Sequence, residues 1–292
     1  MKLIKPSVEY ILQPEGLDGI YKHIERCART CYKSEDKITE DSAKKMVDAL
    51  IKSKHTAMLE HSTVYLGRLW IGSVCHSCNQ TMADEFIDKY AMNPYSKVVV
   101  HNNDICVSTN YRVLIENGWL DDLRFLCNPT EYHIKRYTMK FICDRGVSHE
   151  LVRHRVFSFA QESQRYCNYS KDKFDNCITF IKPSWCADIL LMDDGLSAVD
   201  IDNKAEWTFI HNLCDAEDTY FDLLSEGWTP QQARSVLPNA TKTEIIMTGF
   251  EDDWKHFFDL RLRGTTGKPH PDMLVVATLA WNEFKNKLNL EL

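Results

Sequence analysis

The sequence contains no Gly-x-Gly-x-x-Gly turn, no apolar run of membrane-spanning length, no internal repeat and no low-complexity tract. Without the glycine-rich turn, any dinucleotide must be held by something other than a Rossmann unit. Without about 20 consecutive apolar residues, no helix is long enough to cross a bilayer. Met1–Tyr10 lacks the charged segment followed by an apolar one that marks a secretory leader. The expected location is cytoplasmic, with no membrane partner. A surplus of positive charge is missing too: 35 Lys and Arg against 42 Asp and Glu leave 35 − 42 = −7. That sign disfavours nucleic-acid binding through a broad cationic face. Eleven cysteines, odd in number and without a framework spacing, fit a reducing compartment in which Cys acts as a small apolar residue. The tightest pattern, Cys75-His76-Ser77-Cys78 with Cys27 and Cys31 upstream, lacks the second ligand pair of a structural zinc site, so no metal is expected.

Against this background Glu150–Tyr169, ELVRHRVFSFAQESQRYCNY, concentrates cations. Arg153, His154, Arg155 and Arg165 fall within thirteen residues, beside Ser158, Gln161, Glu162, Ser163 and Gln164, with no Gly or Pro among them. Three guanidiniums cannot be buried together without anions, because each ion taken out of water carries a desolvation cost of several kcal/mol. The segment is therefore either solvated or turned toward phosphate. Two other readings fail. His149 and His154 are five apart, about 140° around a helix, so HELVRH lacks the two ligands on one face that a zinc protease needs. GTTGKPH at Gly264 has the wrong glycine spacing for a phosphate loop, and Pro269 stands where the metal-binding hydroxyl belongs.

The apolar periodicity predicts a strand in SVEYILQ, helices over Leu17–Lys33 and Glu40–Lys54, and a strand opening at His61. Ile71–Pro129 reads as an irregular elaboration holding a short helix at Asp84–Tyr90, the strand-like SKVVVHNNDICVS and the helical NYRVLIENGWLDDLRFL. Strand character returns in YHIKRYTMKFICD, followed by a short helix through Val152 and an extended ITFIKPSW. A long amphipathic helix over Asn203–Glu226 ends at Gly227. Thr229 caps a helix with Pro230 at its first position. A strand in TKTEIIMTGF and helices over Asp252–Arg263 and Pro271–Leu288 complete the chain. The expected fold is α+β and a single domain over 1–292: a central, mostly antiparallel β-sheet flanked by helices, with a family-atypical insertion at about 71–129.

Residues 153–166 reproduce the Arg-His-Arg-x-x-Ser-x-x-x-x-Ser-x-Arg-Tyr signature of the flavin-dependent thymidylate synthases, which this chain resembles. MLEHSTVYL, QQARSVLPNATKTEI and WKHFFDLRLR resemble further segments of that family, so the likeness runs from about Met58 to His270, interrupted by the 71–129 elaboration. The resemblance implies conversion of dUMP to dTMP, with methylenetetrahydrofolate as one-carbon donor and FADH2, regenerated by NADPH, as hydride donor. FAD and dUMP together carry three phosphates, and arginine's planar fork matches phosphate oxygens. By resemblance, dUMP is bound by Glu150, Arg153, Gln161, Glu162, Ser163, Gln164, Arg165, Arg234 and Arg261, the run 161–165 wrapping it partly through backbone N–H groups. FAD is bound by His61, Thr63, Arg153, His154, Arg155, Gln161, His256 and His270, and Arg261 is the catalytic residue that activates uracil. Many relatives have Gln where Glu150 stands, and an ionised glutamate can only accept. The resemblance also implies a homotetramer whose subunits share sites.

Taken singly, Arg234 and Arg261 read as charges complementing a helix C-terminus, His61 and His256 as structural histidines, and Ser158 and Ser163 as hydrogen-bonding loop residues. Two other functions compete with the flavoenzyme. A cysteine-nucleophile thymidylate synthase would need an activated thiol, for which Cys75 beside His76 is the only candidate. A non-catalytic module binding nucleotide or RNA phosphate would use the arginine cluster without a flavin.

Overall fold

Strand alternation sorts the central residues onto two faces. Along Arg136–Asp144, the side chains of Tyr137, Met139, Phe141 and Cys143 pack one way, with Ile245 and Met247 of Lys242–Phe250 beside them. The residues between them, Thr138 and Lys140, with Glu244, Ile246 and Thr248, face the other way. Both faces are covered by helices.

The computed structural model describes residues 1–69, 76–102, 104–186, 191–192, 195–196 and 203–290. In chain order its elements begin with β1 (Lys2–Ile4), β2 (Ser7–Tyr10), α1 (Gly16–Tyr32), α2 (Ser42–Lys52) and β3 (Thr63–Leu69). Next come α3 (His76–Ala91), β4 (Lys97–His101), β5 (Asp104–Asn110), α4 (Tyr111–Asn117), β6 (Arg136–Asp144), α5 (Arg145–Leu151) and β7 (Ser158–Gln161). β8 (Thr179–Ile181), β9 (Leu191–Met192), β10 (Gly195–Leu196), α6 (Lys204–Ser225), α7 (Pro230–Ala233), β11 (Lys242–Phe250), α8 (Glu251–Arg261) and α9 (Pro271–Leu288) complete it. β2, β6, β11 and β7 form a four-stranded, wholly antiparallel sheet in the order β2-β6-β11-β7. β3, β5 and β4 form a second antiparallel sheet, and β1 pairs in parallel with β8. The fold is α+β.

One face of the four-stranded sheet lies on α8 and α9 through Trp254, Phe257, Phe258, Val276, Ala280 and Phe284. The opposite face meets α1 through Ile20, Ile24, Cys27 and Ala28, which pack with Ala160 of β7 and Ile246 of β11. A third cluster joins β1, β8 and α6 through Leu3, Phe180, Leu213 and Tyr220.

Caps account for where the helices near the motif begin. Asp144 accepts from the Val147 N–H at 2.8 Å and starts α5 directly off β6. The Thr229 N–H donates to the Gln232 side chain at 2.9 Å, and Pro230 occupies the first position of α7. The Phe250 N–H donates to Asp253 at 2.9 Å, turning β11 into α8 within one residue.

Several expectations are corrected. His61 closes a 3-10 turn, Thr56–His61, and the strand opens two residues later at Thr63. SKVVVHNNDICVS is two strands, with Asn102 at φ 52° between them, and the helix expected at Asp84–Tyr90 extends over His76–Ala91. Gly118, at φ 70°, ends α4, and a 3-10 turn over Leu120–Phe125 replaces the continuous helix. The strand expected from Tyr132 starts at Arg136. β7, inside the arginine-rich motif, was not anticipated at all. Of the Cys75-His76-Ser77-Cys78 pattern, Cys75 lies outside the described residues.

Gly249 ties this packing to the motif. A Cβ there would sit 2.4 Å from the Phe157 ring, which lies on the glycine and meets Trp254 at 4.8 Å. Gly249→Ala should force that ring aside and cost about 1–3 kcal/mol by overpacking. The check is a lowered Tm accompanied by a changed environment for His154, three residues before Phe157.

Candidate active site

Three residues of the sequence reading converge at the C-terminal end of α8. The Arg261 Nε–H donates to Nε2 of His154 at 3.0 Å, and its Nη1 donates to the Glu150 carboxylate at 2.7 Å. Nη2 reaches the Glu150 carbonyl at 3.4 Å. The guanidinium is thereby fixed from two sides while its side chain keeps 21% exposure. His154 is buried with its ring edge-on to Phe257 at 5.1 Å. Burial first, then the neighbouring Arg261 and His256, lower its pKa to about 4. The ring is therefore neutral near pH 7, and since Nε2 accepts from Arg261 its proton sits on Nδ1.

Two adjoining clefts share Glu150 and His270. One, about 300 Å³, is bounded by Arg261 and the Thr266–His270 loop. The other, about 320 Å³, runs past Trp185, Phe209 and Asp272, and His270 lies edge-on to Trp185 at 5.6 Å. His256 is exposed on α8. A third cavity of about 290 Å³ contains Thr63 alone of the expected residues and lies beside α1.

The cationic residues of the motif point outward. Arg153 and Arg155 are exposed, Arg234 is half-buried, and none of the three has an ion-pair partner among the described residues. The Arg165 Nε–H donates to Gln231 at 2.9 Å, one turn before Arg234, and the guanidinium lies over the Tyr166 ring. The donor set left open is thus the one that phosphates require.

The structure distributes the remaining residues differently. The Glu162 carboxylate turns inward to Lys242 at 2.8 Å and is 2% exposed, so it is spent inside the protein. The N–H groups of Glu162 and Ser163 already donate to the carbonyls of Glu244 and Cys31 and that of Arg165 to the Ser163 hydroxyl at 3.4 Å; Ser163 is half-buried and Arg165 exposed. Gln164 is buried, and the Gln161 amide donates to Ser148 and Thr243. His61 is fully buried on the α1 face: its Nδ1 meets the Thr248 hydroxyl at 2.9 Å, Thr248 meets Thr138 at 2.9 Å, and Thr138 meets His23 at 3.1 Å. Thr63 is buried, with its backbone paired to Gln13. His61 and Thr63 therefore stand across the sheet from His154 and Arg261 within one chain. The sequence reading missed His23, Thr138, Lys140, Lys242 and Glu244; for the last two, the polar run TKTE opening an otherwise apolar strand was the available signal.

The family described as "Thymidylate synthase complementing protein" matches residues 127–288. The chain belongs to that family. Its relatives include proteins named "Flavin-dependent thymidylate synthase" from Geobacter sulfurreducens (33% identical over 117 residues), Corynebacterium efficiens (36% over 119) and Pyrococcus furiosus (31% over 120). The matches take in 40% to 41% of this chain and 43% to 45% of those relatives, under half their length. Among solved structures, a UMP/dUMP methylase, PolB from Streptomyces cacaoi bound with 5-Br dUMP, aligns over 98% of this chain and 92% of its own, with 16% identity and a TM-score of 0.45.

Proposed function

We propose that this chain is a flavin-dependent thymidylate synthase that converts dUMP to dTMP. Methylenetetrahydrofolate is its one-carbon donor, and FADH2 regenerated by NADPH is its hydride donor. The observation that carries the reading is the doubly held Arg261 beside two clefts, with unpaired arginines of the motif nearby. Bound FAD supplies the hydride and so removes the need for an enzyme nucleophile.

For uracil C5 to attack an electrophilic carbon, the ring must become electron-rich. Arg261 favours this by donating to a ring carbonyl oxygen and stabilising negative charge there as N3 gives up its proton. Neutral His154 and the Glu150 carboxylate hold the guanidinium in orientation. Glu150 also offers the ring an acceptor. Arg165 with the Ser163 hydroxyl, and Arg234, take the dUMP phosphate; Arg153 and Arg155 take flavin phosphates, with His256 and His270 at the rim. The exposure of Arg153 and Arg155 and the separation of His61 and Thr63 from His154 favour sites completed by a second copy, in keeping with the homotetramer that the family resemblance implies. In this reading the helices and strands between about 71 and 129 are an insertion in a single cytoplasmic domain.

The purified protein should be yellow. NADPH should bleach its visible absorption, and dTMP should form only when dUMP and methylenetetrahydrofolate are both present. A colourless protein that binds dUMP without turnover would support the phosphate-binding module instead. Flavin-independent methylation would support a cysteine enzyme.

A further inference from the structure

The run after β7 is tied down by charges that the proposed reaction does not use. Glu162 and Glu244 are 2% and 5% exposed, and three lysines converge on them. Lys242 lies 2.8 Å from Glu162 and 2.6 Å from Glu244; Lys33 and Lys140 reach Glu244 at 2.8 and 2.5 Å. Glu35, 3.3 Å from Lys33, makes three carboxylates for three ammoniums, the balance that lets buried ions persist. These groups come from the residues just after α1, from β6 and β11, and from the residue that follows β7.

The end of α1 holds the same run in three further ways. The Cys31 carbonyl accepts from the Ser163 N–H at 3.0 Å, and the Tyr32 ring lies 5.1 Å from that of Tyr166. The carbonyls of Tyr32 and Lys33 both receive Lys173 Nζ, at 3.4 and 2.8 Å. Lys33 itself caps the helix in the left-handed region, at φ 46°, a conformation that aims its side chain while closing the last turn. None of α1 falls within residues 127–288, the part that matches the family.

We propose that Cys31–Lys33, acting through the buried group of Glu162, Lys242 and Glu244, is a positioning device that fixes Ser163 and Arg165 in the conformation that binds the nucleotide phosphate. The proposal rests on the thymidylate synthase reading for the identity of that anion. A planar guanidinium donates two parallel bonds only when its backbone is placed in advance, and a run free to move would spend part of its binding energy on becoming ordered. Neither Cys31 nor Lys33 touches the anion; they act through Glu162 and Ser163.

The test compares flavin-loaded wild type, Lys33→Met and Lys33→Arg by amide hydrogen exchange at Ser163 and Cys167 and by steady-state kinetics. With Lys33→Met, exchange at Ser163 should quicken and the KM for dUMP should rise, each about tenfold, with kcat within about twofold and flavin content unchanged. Lys33→Arg should restore both. If Lys33→Met does not fold, Lys33→Gln, which keeps a donor, serves in its place. Faster exchange with an unchanged KM overturns the proposal, as does a joint fall of kcat, flavin content and dUMP affinity, the mark of general structural damage. A wild-type protein that makes no dTMP overturns the parent reading instead, and the exchange rates still decide whether α1 holds the run.

Discussion

Arg261→Ala is expected to fold, to bind FAD and to have its flavin reduced by NADPH, yet to form dTMP about two to three orders of magnitude more slowly. A charge-assisted contact to developing charge in a partly dry site is worth a few kcal/mol, and each 1.4 kcal/mol of barrier is about tenfold in rate. Arg261 is the last residue of α8 and half-buried, and its loss leaves Glu150 at the clefts and takes the donor from Nε2 of buried His154. The structural cost should be that of one lost hydrogen bond, about 1–3 kcal/mol. As a mere complement to the helix dipole it would contribute about 0.3–1 kcal/mol to stability and nothing to turnover. Arg261→Lys separates the two roles. An ammonium keeps the charge but lacks the fork that meets His154 through Nε and Glu150 through Nη1, so it too should be poor. Single-turnover dTMP formation from prereduced enzyme, at saturating dUMP and methylenetetrahydrofolate, measures this directly. A near wild-type rate would remove Arg261 from the mechanism and leave Arg234 or Arg165 as the candidate.

Arg261 was singled out by the resemblance of WKHFFDLRLR to a family segment; taken alone it reads as a charge complementing a helix C-terminus, and the helix expected over Asp252–Arg263 ends on it. Helix starts marked by local chemistry were equally readable: Asn203, Thr229 and Pro271 each stand where α6, α7 and α9 begin. β7 was hidden because its four residues, SFAQ, lie between charged segments and gain strand character only by pairing with Ile245–Thr248, over eighty residues away. The second sheet was obscured for a related reason: β4 and β5 alternate weakly on their own, and β5 becomes nearly all buried because β3 and β4 cover its two edges. Within the site, chain proximity misled. Glu162 and Ser163 are adjacent, yet one side chain enters a buried lysine cluster and the other faces out, because alternation continues past the end of β7. His61 and Thr63 lie on the α1 face, and nothing in their own sequence says which side of a sheet they will occupy.

The protein should lose stability on mild acidification, well above the range in which carboxylates titrate. His23 and His61 are 2% and 0% exposed, and each has one ring nitrogen bonded into the Thr138–Thr248 hydroxyl pair. Burial first, then His61, Arg136 and Arg26, lower the pKa of His23 to about 3; burial, with Arg136, lowers that of His61 to about 3. Unfolded histidine titrates near 6.5, so between about 6.5 and about 3 the unfolded chain binds protons that the folded protein refuses. Stability is therefore full above about pH 6.5 and falls as the pH drops below it, by about 1.4 kcal/mol per unit for each histidine. The two together cost about 4 kcal/mol by pH 5, a large share of the 5–15 kcal/mol typical of a folded protein. His154, lowered to about 4, adds to the loss in the same direction. Glu244, held below the ordinary range by Lys242, Lys140 and Lys33 despite its burial, contributes only below about pH 4.3. Urea midpoints at pH 7.5, 6 and 5 should fall steadily. His23→Gln keeps an amide that can bond to Thr138 and does not titrate, so it should flatten the fall by roughly a quarter to a third of its slope, since His61, His154 and His133, which burial also lowers, still titrate. A midpoint constant from pH 7.5 to 5, or a slope unchanged by the glutamine, would show that these rings accept protons without unfolding the sheet around them.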